Sequence, residues 1–299
     1  MTQRPARRIE PRTPDRRPPK PPGFAGDPPT TTFAARARGA ARSPVMPSVP
    51  PERVTPVRAL TSDLWFTVIY LRPKDQRTIE RSRLKVWSDP LVAGGRSRSG
   101  ALRDASRLES WAARAEGMGR TPTIAAQASW LSRSTRIRVR AAEIERALDH
   151  LAYSADTRVA PGAVAALEQL RSGGIRLGVV SNVLHETPDG LRRVLRRLGL
   201  LSLFETLVLS SEHPWSKPRP EPFHRALDSL GVPPESAAHI GDLEYDVTGA
   251  QRAGVRPYLY TGLHRFEPER LGRLVTGIDP AVPRVTRWRA LPCQLRRLA

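Results

Sequence analysis

Between Pro161 and Tyr260, apolar runs of strand length alternate with segments whose apolar residues recur every three or four positions. Ile175-Arg176-Leu177-Gly178-Val179-Val180, Thr206-Leu207-Val208-Leu209, Ala238-His239-Ile240 and Arg256 to Tyr260 read as buried strands. Pro161-Gly162 opens a helix through Leu170 that Gly173-Gly174 closes, and Leu191 to Leu198, Glu221 to Leu230 and Val247 to Ala253 read as further helices. Such alternation needs crossover connections, which lay helices over both faces of a parallel sheet. A doubly wound α/β core is therefore predicted. Val57 to Ser62 supplies one more strand, and Val285 to Pro292 a last strand and turn. Ile79 to Trp87, Ala101 to Gly117, Pro122 to Leu131 and Ile137 to Ala152 have helical spacing instead. The predicted organisation is a core of residues 57–71 and 158–299 with an all-helical insertion, residues 72–157.

Residues 1–56 are dominated by Pro, Arg, Thr and Ala. Runs such as Arg17-Pro18-Pro19-Lys20-Pro21-Pro22 favour extended chain without a packed core, so this extension is expected to be disordered. Met46 lies just before the first foldable segment and is an alternative starting point. No run approaches ~18 consecutive apolar residues, so neither a membrane span nor a secretory leader is expected, and a cytoplasmic location is. Cys293, the single cysteine, excludes an internal disulfide and a multi-cysteine metal site. The formal charge of +20 rests on 49 basic residues, of which only Lys20, Lys74, Lys85 and Lys217 are lysines. Arginine spread evenly along the chain attracts polyanions non-specifically, and no aromatic-basic stripe accompanies it. Specific nucleic-acid binding is not expected.

The chemistry-bearing residues gather at predicted strand ends, where open α/β sheets place ligands. Asp63 follows the first strand in Asp63-x-Trp65-x-Thr67, where its carboxylate either attacks a phosphorus or carbon centre or merely caps a turn. Ser181 and Asn182 end the strand Val179-Val180 and offer a hydroxyl and backbone N–H groups to phosphate oxygens, or else cap a helix. Lys217 sits among prolines in Ser216-Lys217-Pro218-x-Pro220-x-Pro222-Phe223. In a chain that otherwise uses arginine, a compact ammonium there suits neutralising a carboxylate and a phosphoryl oxygen, against the plainer reading of a solvated turn. Asp242 and Asp246, in Gly241-Asp242-x-x-x-Asp246, supply hard oxygen ligands suited to Mg²⁺. His185, His213, His224 and His239 show no metal-ligand spacing.

In this order the four segments resemble the haloacid dehalogenase-like hydrolase superfamily. The resemblance implies a Rossmann-like core with a helical cap inserted after the first motif, closing over the site and selecting the substrate. It implies that Asp63 is the nucleophile, with Thr67, Ser181, Asn182 and Lys217 binding phosphate. Lys217 also neutralises the nucleophile. Asp63, Asp242, Asp246 and the backbone carbonyl of Trp65 are the implied Mg²⁺ ligands. One position departs: phosphatases of that family carry an aspartate general acid/base where this chain has Trp65. General acid/base help is typically worth ~10²–10⁴ in rate, so an alkoxide leaving group is disfavoured.

The leading expectation is Mg²⁺-dependent hydrolysis of a small anionic, phosphorylated substrate through an aspartyl intermediate on Asp63. Two alternatives stay open, a dehalogenase-like hydrolase acting at carbon and a weakly catalytic protein that binds phosphate or a protein partner. Trp65 points towards carbon, whereas Asp242 and Asp246 point back to phosphorus. Substrate identity and oligomeric state are not legible.

Overall fold

A computed structural model of the protein describes residues 55–264, 275 and 277–296. The expectation for residues 1–56 therefore lies, apart from Thr55 and Pro56, outside the described residues. Strand β1 (Ala59–Ser62) is central. It is flanked in one six-stranded sheet by β4 (Arg176–Ser181), β5 (Thr206–Leu209), β6 (Ala237–Gly241), β7 (Arg256–Tyr260) and β8 (Arg284–Val285), in the order β5-β4-β1-β6-β7-β8. All pairings within this sheet are parallel. The expected α/β core and its final strand are thus present.

Alternate residues of each strand enter different cores, as a period of two requires. Leu60, Leu177, Val179 and Ile240 pack on one face with α5 (Ala163–Ser172) and α6 (Pro188–Arg197). Ala59, Val180, Val208 and Ala237 pack on the other with α7 (Glu221–Leu230) and α8 (Glu244–Arg252). Full burial of each of these Leu, Val and Ile side chains contributes ~1.5–3 kcal/mol, and the parallel strands read as continuous apolar runs because both faces are covered.

Helices α1 (Pro73–Ala93), α2 (Arg98–Gly117), α3 (Ile124–Thr135) and α4 (Ala141–Ser154) occupy the segment between β1 and β4. They have a core of their own, in which Trp87, Leu91, Leu108 and Leu131 are fully buried. Ser97 and Thr123 cap α2 and α3 by accepting the N–H groups of Gly100 and Ala126. Helix α1 is longer than its apolar spacing indicates. It starts with Pro73 in its first turn, where a missing N–H costs nothing, and contains Pro90 within its last turn.

Two short strands, β2 (Ile69–Tyr70) and β3 (Arg158–Val159), pair antiparallel where the helical segment leaves and rejoins the core. Two-residue strands are too short for periodicity to reveal. Helix α6 begins at Pro188 rather than Leu191 because the Thr187 hydroxyl accepts the Gly190 N–H at 3.0 Å. Helix α8 begins at Glu244 rather than Val247 because the Asp246 carboxylate accepts the Leu243 N–H at 3.0 Å. No described helix is long and apolar enough to cross a membrane.

Candidate active site

Parallel pairing brings the carboxyl ends of β1, β4 and β6 to one edge. Ser62 is in register with Val179 on one side and Ile240 on the other, so Asp63, Ser181 and Asp242 emerge together. Asp63 donates its own N–H to the Ile240 carbonyl at 2.9 Å, which extends the ladder to the residue that bears the carboxylate. A tight turn follows, in which Val68 and Ile69 both donate to the Leu64 carbonyl at 2.9 Å. Phe66, with φ of 57°, sits in the left-handed region within it. A bulky residue there is an outlier of the kind that clusters at functional sites.

Lys217 reaches this edge from the loop after β5, fully buried. Its Nζ donates to Asp63 Oδ1 at 2.7 Å and to Asp246 Oδ1 at 2.6 Å. Asn182 holds the lysine from behind: Lys217 N–H donates to Asn182 Oδ1 at 3.0 Å, and Asn182 Nδ2 donates to the Lys217 carbonyl at 3.1 Å. The predicted phosphate-binding Asn182 thus borders the site with its amide turned to the lysine main chain. Ser181 Oγ is buried and makes no hydrogen bond of ordinary geometry, yet it lies close enough to Asp63 to favour the charged carboxylate. Thr67 Oγ1 donates to Asp242 Oδ1 at 3.3 Å. Trp65 lines the same cavity, part-buried, with its ring packed against the main core.

Three carboxylates, those of Asp63, Asp242 and Asp246, present oxygens within 4.8 Å of one another, all three residues being buried. Against them stands the single ammonium of Lys217. Burial pushes the Asp63 carboxyl up to about 6, opposed by Lys217 and reinforced by the Asp246 charge. Burial, with the charges of Asp246 and Asp63, pushes Asp242 well above the ordinary range. Asp246 goes the other way: despite burial, Lys217 and the His239 ring bring it down to about 2. For Lys217, burial alone would lower the pKa, but the Asp246 and Asp63 carboxylates prevail and keep the ammonium charged. Fully ionised, the cluster has two negative charges in excess. An all-oxygen donor set with that excess fits a hard divalent cation.

Sequence reasoning left three supporting residues aside. His239 on β6 is buried, with Nε2 at 3.5 Å from Asp246 Oδ1 and Nδ1 at 2.9 Å from Thr61 Oγ1; burial lowers its pKa. Its signal is a polar residue within an apolar strand, three positions before Asp242. Tyr245 places its ring 5.3 Å from Lys217 Nζ. Trp288 donates from Nε1 to the Thr67 carbonyl at 2.9 Å, a contact with no local signature.

A cavity of about 500 Å³ opens from Asp63 and Asp242 towards α1 and α2. The cavity thus brings together a carboxylate, an ammonium bonded to it and a buried hydroxyl without a hydrogen-bond partner, the groups that covalent catalysis at a carboxylate uses.

The family model described as a haloacid dehalogenase-like hydrolase matches residues 93–254. The matched stretch contains Ser181, Lys217, Asp242 and Asp246, and begins after Asp63 and Trp65. A phosphoglycolate phosphatase of Cereibacter sphaeroides is 36% identical over 121 residues, 39% of this chain and 53% of the relative. The chain thus spans about half the length of that curated relative. Among solved structures, a 2-haloacid dehalogenase of Pseudomonas syringae pv. Tomato superimposes with a TM-score of 0.57 at 22% identity, covering 81% of this chain and 100% of its own. A phosphatase of Thermococcus onnurineus from the same superfamily does so with 0.55 at 19% identity, covering 80% and 98%. At such identities the likeness concerns the fold alone.

Proposed function

Because the chain belongs to the haloacid dehalogenase-like hydrolase family, we propose that it is a Mg²⁺-dependent phosphohydrolase acting through a covalent intermediate on Asp63. The carrying observation is the buried Lys217 ammonium bridging Asp63 and Asp246, with Asp242 beside them. One oxygen of the ionised Asp63 attacks phosphorus, forming an acyl phosphate as the bond to the leaving oxygen breaks and its electrons depart with the leaving group. Water then attacks the acyl phosphate, releasing inorganic phosphate and the free carboxylate. Lys217 holds Asp63 in place and offsets charge on the transferring group, a type of fixed electrostatic help whose removal costs ~10²–10³ in rate. Ser181 Oγ supplies a donor to a phosphoryl oxygen, Thr67 Oγ1 does so on turning from Asp242 Oδ1, and Asn182 fixes the lysine backbone.

Asp63, Asp242, Asp246 and the Trp65 carbonyl would hold Mg²⁺, which when bound neutralises phosphoryl oxygen charge. Trp65 has no proton to give, so the substrate is a small phosphate whose leaving group departs unaided or receives its proton elsewhere. The relative named phosphoglycolate phosphatase supports phosphate as the substrate class. A single cysteine, unable to pair within the chain, accords with a cytoplasmic setting. Trp65 also supports a second reading, hydrolysis at carbon without metal. The test is p-nitrophenyl phosphate hydrolysis from the first turnover, with and without Mg²⁺, in the protein and in Asp63→Asn. Metal-dependent turnover lost in the variant is expected; no p-nitrophenolate release under either condition sinks the phosphohydrolase reading.

A further inference from the structure

The cavity wall built by α1, α2 and the loop after β4 is acidic, in a chain of formal charge +20. Glu80 on α1, Glu109 and Glu116 on α2 and Glu186 after β4 all line it. Arg83, also on the wall, is bound to Glu109 at 2.7 Å, and neither Glu80 nor Glu186 forms a salt bridge among the described residues. Gln76 gives an independent sign of a missing donor. It lines the same cavity, is only 8% exposed and spends its Nε2 on Glu80 at 3.2 Å, while its Oε1 has no hydrogen-bond partner among the described residues. A buried amide acceptor left unpaired is costly and uncommon, so an N–H or O–H group is the natural complement. Burial also pushes the Glu186 carboxyl up to about 7 despite the nearby Arg83.

Acceptors and negative charge on the helical wall, together with a phosphate-type centre at the strand ends, suit a zwitterionic occupant. We propose that the leaving group of the substrate carries an ammonium, which is held by the Glu80 and Glu186 carboxylates with an N–H to Gln76 Oε1. This rests on the hydrolase reading for the reacting end only. A leaving group bearing a carboxylate, as in phosphoglycolate, meets like charge and is selected against, so the activity for which the relative is named does not extend to this chain.

The test compares O-phosphorylethanolamine, glycerol phosphate and 2-phosphoglycolate, first as substrates of the full chain and then as ligands of Asp63→Asn by calorimetry. The amino phosphate is expected to exceed phosphoglycolate by about tenfold or more in kcat/KM and in affinity, with glycerol phosphate between them. In Glu80→Gln/Glu186→Gln that ratio should collapse towards one. Equal or reversed preference overturns the proposal, even where p-nitrophenyl phosphate is hydrolysed. Preferential binding of the amino phosphate by Asp63→Asn upholds it, even if the full chain hydrolyses nothing, in which case only the hydrolase reading fails.

Discussion

The indole Nε1 of Trp288 donates a 2.9 Å hydrogen bond to the carbonyl of Thr67, 221 residues earlier in the chain. Both residues are fully buried, and the turn so anchored carries Trp65 and reaches Asp242 through the Thr67 hydroxyl. Trp288→Phe keeps most of the ring and removes the donor, leaving a buried carbonyl unpaired. The expected loss is about 1–3 kcal/mol in denaturant unfolding, with a raised KM for p-nitrophenyl phosphate. An unchanged midpoint together with an unchanged KM would show that the bond does not hold the turn.

Lys217→Met strips two buried carboxylates of their countercharge. Breaking such a pair typically costs about 3–5 kcal/mol. Hydrolysis should fall ~10²–10³-fold. Lys217→Arg should not rescue it, because the planar guanidinium cannot occupy the position of a compact ammonium bonded to Asp63 and Asp246. Steady-state rates and chemical melts of the three proteins check this.

Gly241 precedes Asp242, and a Cβ there would lie 2.2 Å from Asp246 Cγ and 2.5 Å from its Oδ2. Gly241→Ala therefore forces Asp246 away from Lys217 and the Leu243 N–H. We expect a cost of about 1–3 kcal/mol and weakened Mg²⁺ dependence, read as a higher metal concentration at half-maximal rate. Retention of the original metal dependence would count against Asp246 as part of the cation site.

Trp65→Asp restores a group able to protonate a leaving oxygen. The ratio of alkyl phosphate to p-nitrophenyl phosphate hydrolysis should rise at least about tenfold, since only the alkoxide needs the proton. A ratio that stays constant would mean that another group already supplies it.

Glu186 gives a pH signature. Burial raises its carboxyl to about 7 from an ordinary 4.5, so the folded protein holds that proton more tightly than the unfolded chain. Its contribution to stability is then favourable relative to high pH below about 4.5 and declines as pH rises through 7. The loss is up to about 3 kcal/mol. Glu186→Gln should flatten the fall in Tm between pH 5 and 8. Parallel wild-type and variant curves would remove Glu186 as the source.

The sheet was legible because each of its longer strands is an apolar run that ends in a polar or glycine-bearing turn, and both its faces demand cover. Asp63, Ser181 and Asp242 were legible for the same reason, as polar residues just where those runs stop. Lys217 was marked by its rarity and its prolines. That Asp63, Ser181 and Asp242 come together at one edge is a property of parallel register, which aligns strand ends far apart in sequence. The β2–β3 stem, the Asn182 clamp on Lys217 and the Trp288 anchor left no local trace, since each joins residues tens to hundreds of positions apart. The same holds for the acidic wall: Glu80, Glu109, Glu116 and Glu186 look like ordinary solvated glutamates in sequence. Only the packing of α1 and α2 over the strand ends turns them towards one cavity.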